Sequence, residues 1–160
     1  MASILFIHGA GRGAWCWRDH FTGWFEARGY TVSAPDLPHH GDLDRRGVIS
    51  TPLQVYVDAV GRAAADLEPP LVIVAHSLRG FVVEKYLEQA EADQMVPPRK
   101  DIVVTTRMCH GAEQIVPGGH NMMLDTAWKQ VAIAIETVII EGLSNDAADR
   151  ADDLAAIPRA

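Results

Sequence analysis

The stretch Leu71-Val72-Ile73-Val74-Ala75-His76-Ser77-Leu78-Arg79-Gly80 decides the fold. Five apolar residues, three of them β-branched, lead into a histidine, a serine and then a glycine. Such a run reads as a buried strand. Beyond it Phe81, Val82, Tyr86 and Leu87 are expected to face inward from a helix running to about Ala90. A strand, a sharp turn and a helix hold a serine hydroxyl at the carboxyl edge of a sheet, where open α/β folds place their sites.

Upstream, Ile4-Leu5-Phe6-Ile7 is a second continuous apolar run and a second buried strand. It enters His8-Gly9-Ala10-Gly11-Arg12-Gly13, a glycine loop whose backbone N–H groups can face an anion. The glycine spacing is one residue short of GxGxxG, so a dinucleotide site is a poor reading. Ala14 to Arg28 has helical periodicity, with Trp17, Phe21, Trp24 and Phe25 on one face and Gly29 as its stop. Tyr30 to Ala34 reads as a strand, ended by Pro35-Asp36-Leu37-Pro38. His39, His40, Asp42 and Asp44 follow in a spacing that matches no zinc pattern. Ser50 or Thr51 is the expected cap of a helix with Pro52 in its first turn, whose apolar positions Leu53, Tyr56, Val57, Val60, Ala64 and Leu67 keep helical spacing.

Downstream, Asp101 to Thr106 is a strand or part of a helix, and Ala112 to Val116 is a strand. Pro117-Gly118-Gly119-His120-Asn121-Met122-Met123 is a loop. Asp125 caps a helix from Thr126 to about Glu141. Strands alternating with helices argue a mostly parallel central sheet with helices on both faces. Residues 1–142 are expected to form one domain, with 143–160 as a polar tail or surface helix.

The 160 residues suffice for one sizeable core, and 48% hydrophobic residues fit a globular chain. A formal net charge of −7 argues against nucleic acid as partner. No apolar run approaches the roughly 20 residues of a membrane span. Two distant cysteines, Cys16 and Cys109, form no metal-type pair, so no metal or other cofactor is expected and a reducing, cytoplasmic setting is the default.

A serine hydroxyl becomes a nucleophile when a base takes its proton, usually an imidazole oriented by a carboxylate, and when N–H donors meet the developing oxyanion. Ser77 is the candidate nucleophile and His120 the candidate base. The candidate donors are the N–H groups of Leu78 and Ala10. Gly9, Trp15 and Arg79 are the candidate lining of a substrate pocket. Serine at a helix start is ordinarily an N-cap, and a loop histidine ordinarily bonds to backbone. The two gain weight together, with a hydrophobic strand ahead of Ser77 and a glycine loop after the first strand. His8 reads as structural, His76 as packing at the turn and Asp36 as structuring its loop.

Four blocks, His8-Gly9-Ala10 with Gly13-Ala14-Trp15-Cys16-Trp17, Asp36-Leu37-Pro38-His39-His40-Gly41, Ala75-His76-Ser77-Leu78 and Pro117 to Leu124, resemble the α/β-hydrolase superfamily in matching order. The first block is similar to its esterase and hydroxynitrile-lyase branch. The resemblance implies a minimal α/β-hydrolase fold without a cap domain, a Ser–acid–His triad and an oxyanion hole.

Three departures stand out. Ala75 and Arg79 replace the two glycines of the G-x-S-x-G elbow, and the arginine must escape to solvent or into the site. Ser77 and His120 are separated by only 43 residues (120 − 77), so most of the usual intervening strands and cap are expected to be absent. The acid is expected at Asp93, with Asp101, Glu113 or no acid at all as alternatives; a Ser–His dyad would retain weak activity. The leading expectation is a serine hydrolase of small carboxylic esters. One alternative is hydroxynitrile-lyase-like chemistry, with Arg79 as the cation near cyanide. Another is a non-catalytic scaffold that pairs with a second copy through an exposed sheet edge.

Overall fold

The computed structural model describes residues 2–42, 50–93 and 120–155 of the chain. Three parallel strands, β1 (Ser3–Ile7), β2 (Thr31–Ser33) and β3 (Leu71–Ala75), form a sheet in the order β2-β1-β3. The first helix, α1, has α-helical ends at Trp15–Trp17 and Gly23–Glu26 around a π-helical turn at Arg18–Thr22. Two further helices, α2 (Leu53–Ala65) and α3 (Arg79–Asp93), flank β3 in sequence, and α4 spans Trp128–Ala155.

The unbroken apolar strands make sense because β1 and β3 are covered on both sides. Side chains alternate across a strand. Ile4, Phe6, Val72 and Val74 therefore meet one helical layer, formed by Trp17, Phe21, Trp24 and Phe25 of α1 with Val131, Ala132 and Ile139 of α4. Leu5, Ile7, Leu71 and Ile73 meet the other, formed by Tyr56, Val57 and Val60 of α2 with Val82, Val83 and Tyr86 of α3. Phe6 stacks on Trp17 with ring centroids 4.7 Å apart. Burial of each such side chain contributes about 1.5–3 kcal/mol. The helices thus lie on both faces, as the alternating pattern predicts.

Register positions the site. Ile7 pairs with Ala75, and the His76 N–H donates to the Ile7 carbonyl at 3.0 Å. The glycine loop after β1 and the turn after β3 therefore leave the sheet side by side.

Several local expectations are corrected. The N-cap of α2 is Pro52, where Ser50 or Thr51 was expected. Leu53 is exposed at the helix's first position. Phe81 is exposed as well, because at about 100° per residue it lies opposite the face carrying Val83 and Tyr86. Gly142 does not end α4. Its backbone is absent from the positive-φ glycines, whereas Gly29 (φ 87°) does end α1. An interior glycine costs a helix only about 1 kcal/mol, so the helix continues to Ala155, through the stretch expected as a polar tail or surface helix. The expected strands at 101–106 and 112–116, and with them the sheet edge for a second copy, lie outside the described residues.

Candidate active site

Ser77 sits on a strained turn. Its φ is 58°, in the left-handed region that non-glycine residues rarely occupy. The turn is closed by the Arg79 N–H donating to the His76 carbonyl at 3.3 Å and the Gly80 N–H donating to the Ser77 carbonyl at 3.0 Å. This conformation leaves the Ser77 side chain exposed at the carboxyl end of β3.

His120 comes to the same point from a loop 43 residues further on. His120 Nε2 lies 3.1 Å from the Ser77 hydroxyl oxygen, within hydrogen-bond distance. For the hydroxyl to donate across that contact the imidazole proton must sit on Nδ1, the tautomer that a base at Nε2 requires. The loop is tethered on both sides. Met123 is fully buried in the core, and His76 Nε2–H donates to the His120 carbonyl at 2.7 Å. Burial holds the His76 imidazole below its ordinary pKa, against the opposing pull of the His120 carbonyl bond. Neutral His76 thus acts as a fixed donor. Its ring lies 4.8 Å from that of His120. Sequence reading made His76 packing alone; its place one residue before the serine was the available signal.

The glycine loop is held from below by His8. Its Nδ1–H donates to the Gly9 carbonyl at 2.9 Å, and its Nε2 accepts the Leu37 N–H at 3.0 Å. Burial lowers the His8 pKa, which keeps Nε2 able to accept. Asp36 structures the neighbouring turn by accepting the Ala14 N–H at 2.6 Å and the Asp42 N–H at 3.4 Å. Both residues play the structural roles expected of them. Gly9 packs flat against His76, and the N–H groups of Ala10 and Leu78 carry no hydrogen bond to another described residue. Trp15 lies half-buried against the α1 core with the Arg12 guanidinium 5.6 Å from its ring centroid.

Arg79 is not part of the pocket lining, which corrects the sequence expectation. Only 5% of it is exposed. Its side chain turns neither to solvent nor to the nucleophile but under the turn. There Nη2 donates to His40 Nε2 at 2.9 Å, and the guanidinium lies 4.0 Å from the centroid of the Tyr56 ring. His40 uses its other nitrogen to donate to the Pro38 carbonyl at 2.8 Å. Both ring nitrogens are thereby engaged, which removes His40 from any metal reading of that loop.

The structure brings Ser77 and His120 together but does not bring Asp93 to them. Asp93 is the last residue of α3, not a loop residue after a strand. The helix starts at the elbow and rises 1.5 Å per residue, so it carries the Asp93 backbone about 20 Å away along its axis. Among the described residues no carboxylate bonds to His120, and Asp101 and Glu113 lie outside them.

A model of the alpha/beta hydrolase family matches residues 4–156. The probable esterase PIR7A of rice (Oryza sativa subsp. indica) is 33% identical over 90 residues, which cover 54% of this chain and 33% of the relative. The chain thus spans about a third of the length of that curated relative. Among solved structures, the Arabidopsis methylesterase MES16 matches with TM-score 0.52 at 24% identity, over 74% of this chain and 47% of that one. Polyneuridine aldehyde esterase matches with TM-score 0.50 at 24% identity, over 57% of this chain and 36% of that one. At that identity the two structures speak for the fold alone.

Proposed function

The chain belongs to the alpha/beta hydrolase family, and from that we propose that it hydrolyses carboxylic esters through an acyl-enzyme on Ser77. The observation that carries this reading is the bond from the Ser77 hydroxyl to His120 Nε2, 3.1 Å long, on a turn with φ 58°. The similarity to a probable esterase supports the same class of substrate.

In the proposed cycle His120 Nε2 takes the Ser77 proton as Oγ attacks the ester carbonyl. The oxyanion is met by the N–H groups of Leu78 and Ala10. Each such donor typically contributes about 100- to 1,000-fold in rate. The tetrahedral intermediate collapses, the C–O bond to the alcohol breaks, and His120 returns the proton to the leaving oxygen. A water then gives its proton to His120 and attacks the acyl carbonyl, freeing the acid and restoring Ser77. The exposed Ser77 and His120 side chains suit a small ester arriving from solvent. Asp101 and Glu113, outside the described residues, are the remaining sequence candidates for a carboxylate that orients His120; without one, Ser77 and His120 would act as a dyad. The burial of Arg79 withdraws the one cation on which a hydroxynitrile-lyase-like reading rested.

The test is labelling with a serine-directed phosphonate together with p-nitrophenyl acetate turnover. Ser77 should be the labelled residue, and Ser77→Ala should abolish both signals. Equal turnover by wild type and Ser77→Ala would remove the esterase reading and favour a scaffold role.

A further inference from the structure

Arg79 occupies the position where the elbow motif has glycine, and it is costly there. The side chain is 5% exposed, its Nε has no hydrogen-bond partner, and no carboxylate pairs with it among the described residues. Burying a cation without a counter-ion is unfavourable by several kcal/mol unless hydrogen bonds and aromatic faces offset it. Here the offsets are the Tyr56 ring at 4.0 Å and the His40 Nε2 acceptor at 2.9 Å. An apolar residue of similar length would fill the same space without the desolvation cost.

What it joins is specific. Arg79 is the first residue of α3 and follows Leu78, whose N–H is one of the two donors assigned to the oxyanion. His40, at the other end of the bond, stands against His8 with ring centroids 5.3 Å apart. His8 in turn holds the carbonyl of Gly9 at 2.9 Å, next to Ala10, whose N–H is the second donor. One buried path, Arg79–His40–His8–Gly9, thus connects the backbone segments that carry the two donors.

We propose that Arg79 is a positioning residue that, through His40 and His8, sets the Leu78 and Ala10 N–H groups relative to each other and to Ser77. The proposal rests on the esterase reading above. Its first link is a directional hydrogen bond from Arg79 to His40, whose ring is fixed by the bond from Nδ1–H to the Pro38 carbonyl at 2.8 Å, and its second is the ring contact of His40 with His8. Removing the guanidinium frees the start of α3 from the glycine loop while leaving both apolar layers of the sheet intact.

The experiment compares wild type, Arg79→Met, Arg79→Lys, His40→Leu and the Arg79→Met/His40→Leu double variant in p-nitrophenyl acetate turnover, thermal unfolding and imidazole 15N spectra. Arg79→Met and His40→Leu should each lower kcat about 10- to 100-fold with KM changed less than about threefold, the size expected of a misplaced oxyanion donor. The double variant should be no worse than the poorer single variant, because the two act through one bond. Arg79→Lys, which keeps a donor, should recover much of the loss. The midpoint of Arg79→Met should be unchanged or raised.

Full kcat in folded Arg79→Met, a change confined to KM, or multiplicative losses in the double variant would overturn the proposal. If Arg79→Met does not fold, Arg79→Lys and His40→Leu carry the same comparison. A wild type that neither turns over the ester nor labels at Ser77 would overturn the esterase reading and the kinetic role with it. The His40 15N shifts in Arg79→Met would then still decide separately whether the tether exists.

Discussion

Replacing Gly9 by alanine tests the geometry of the site at its tightest point. An added Cβ would stand 2.5 Å from His76 Nδ1 and 3.2 Å from its Cε1. Ordinary contact begins at 3.4 Å, so the ring must yield by 0.9 Å (3.4 − 2.5). It has little freedom to do so. Nδ1 and Nε2 point to roughly opposite sides of an imidazole, and Nε2 is engaged with the His120 carbonyl at 2.7 Å. A push at Nδ1 is therefore delivered to the backbone of His120, the proposed base. Overpacking of this kind costs about 1–3 kcal/mol of stability. A shift near 1 Å in a catalytic group costs about 100-fold in rate, or about 2.7 kcal/mol of transition-state stabilisation. The expected outcome for Gly9→Ala is a folded protein whose kcat/KM for p-nitrophenyl acetate, and whose rate of phosphonate labelling at Ser77, both fall about 100-fold. In a His76→Ala background the obstructing ring is gone, so Gly9→Ala should then cost little more. Near-wild-type turnover of folded Gly9→Ala, or an undiminished penalty in the His76→Ala background, would refute this chain of reasoning.

Three further outcomes can be measured. Burial holds His8 and His76 below their ordinary pKa. Below about pH 6.5 the unfolded chain therefore binds protons that the folded chain refuses. Stability should be full above that pH and fall as the pH drops towards the lowered folded values, by at most about 1.4 kcal/mol per pH unit for each histidine. Urea midpoints at pH 7.5, 6.0 and 5.0 measure this, and a midpoint constant over that range would contradict the burial argument. Asp93→Asn should leave kcat/KM within about threefold of wild type, because α3 carries residue 93 about 20 Å from the elbow. Asp101→Asn or Glu113→Gln should reduce it by orders of magnitude, as loss of a triad acid does. A large loss in Asp93→Asn would show that position 93 reaches His120 after all.

Much of this was legible from residue type and spacing. The strands at Ile4–Ile7 and Leu71–Ala75 announce themselves because parallel strands covered on both faces need unbroken apolar runs. Trp17, Phe21, Trp24 and Phe25 announce a helix because their spacing closes one face, and all four are buried. Ser77 and His120 could be paired from chain order and their flanking glycines, and they meet at 3.1 Å. Asp93 misled because Ala92-Asp93-Gln94 resembles an acid-bearing loop, whereas Glu88 to Asp93 has no glycine or proline to stop α3. Helix continuation won over motif likeness there, and again at Gly142, where no left-handed residue ends α4.

The failure at Arg79 has a different origin. The residue type was read correctly as too large for a glycine position, and the choice was framed as solvent or site. The third direction, into the interior, was not weighed; a buried cation needs partners to take it. Those partners come from sequence-distant places: Tyr56 from α2, half of an otherwise apolar face, and His40 from a loop that looked like solvated polar residues. Neither shows periodicity or motif spacing relative to Arg79, and only the crossing of α2 and the Pro38–Gly41 turn beneath the elbow brings them together. Three residues with no visible sequence relationship thus explain how a bulky cation fits beside the nucleophile without obstructing it. The elbow's departure from glycine is therefore compatible with catalysis, because the exposed space above Ser77 is left to the substrate and the cation occupies the space below.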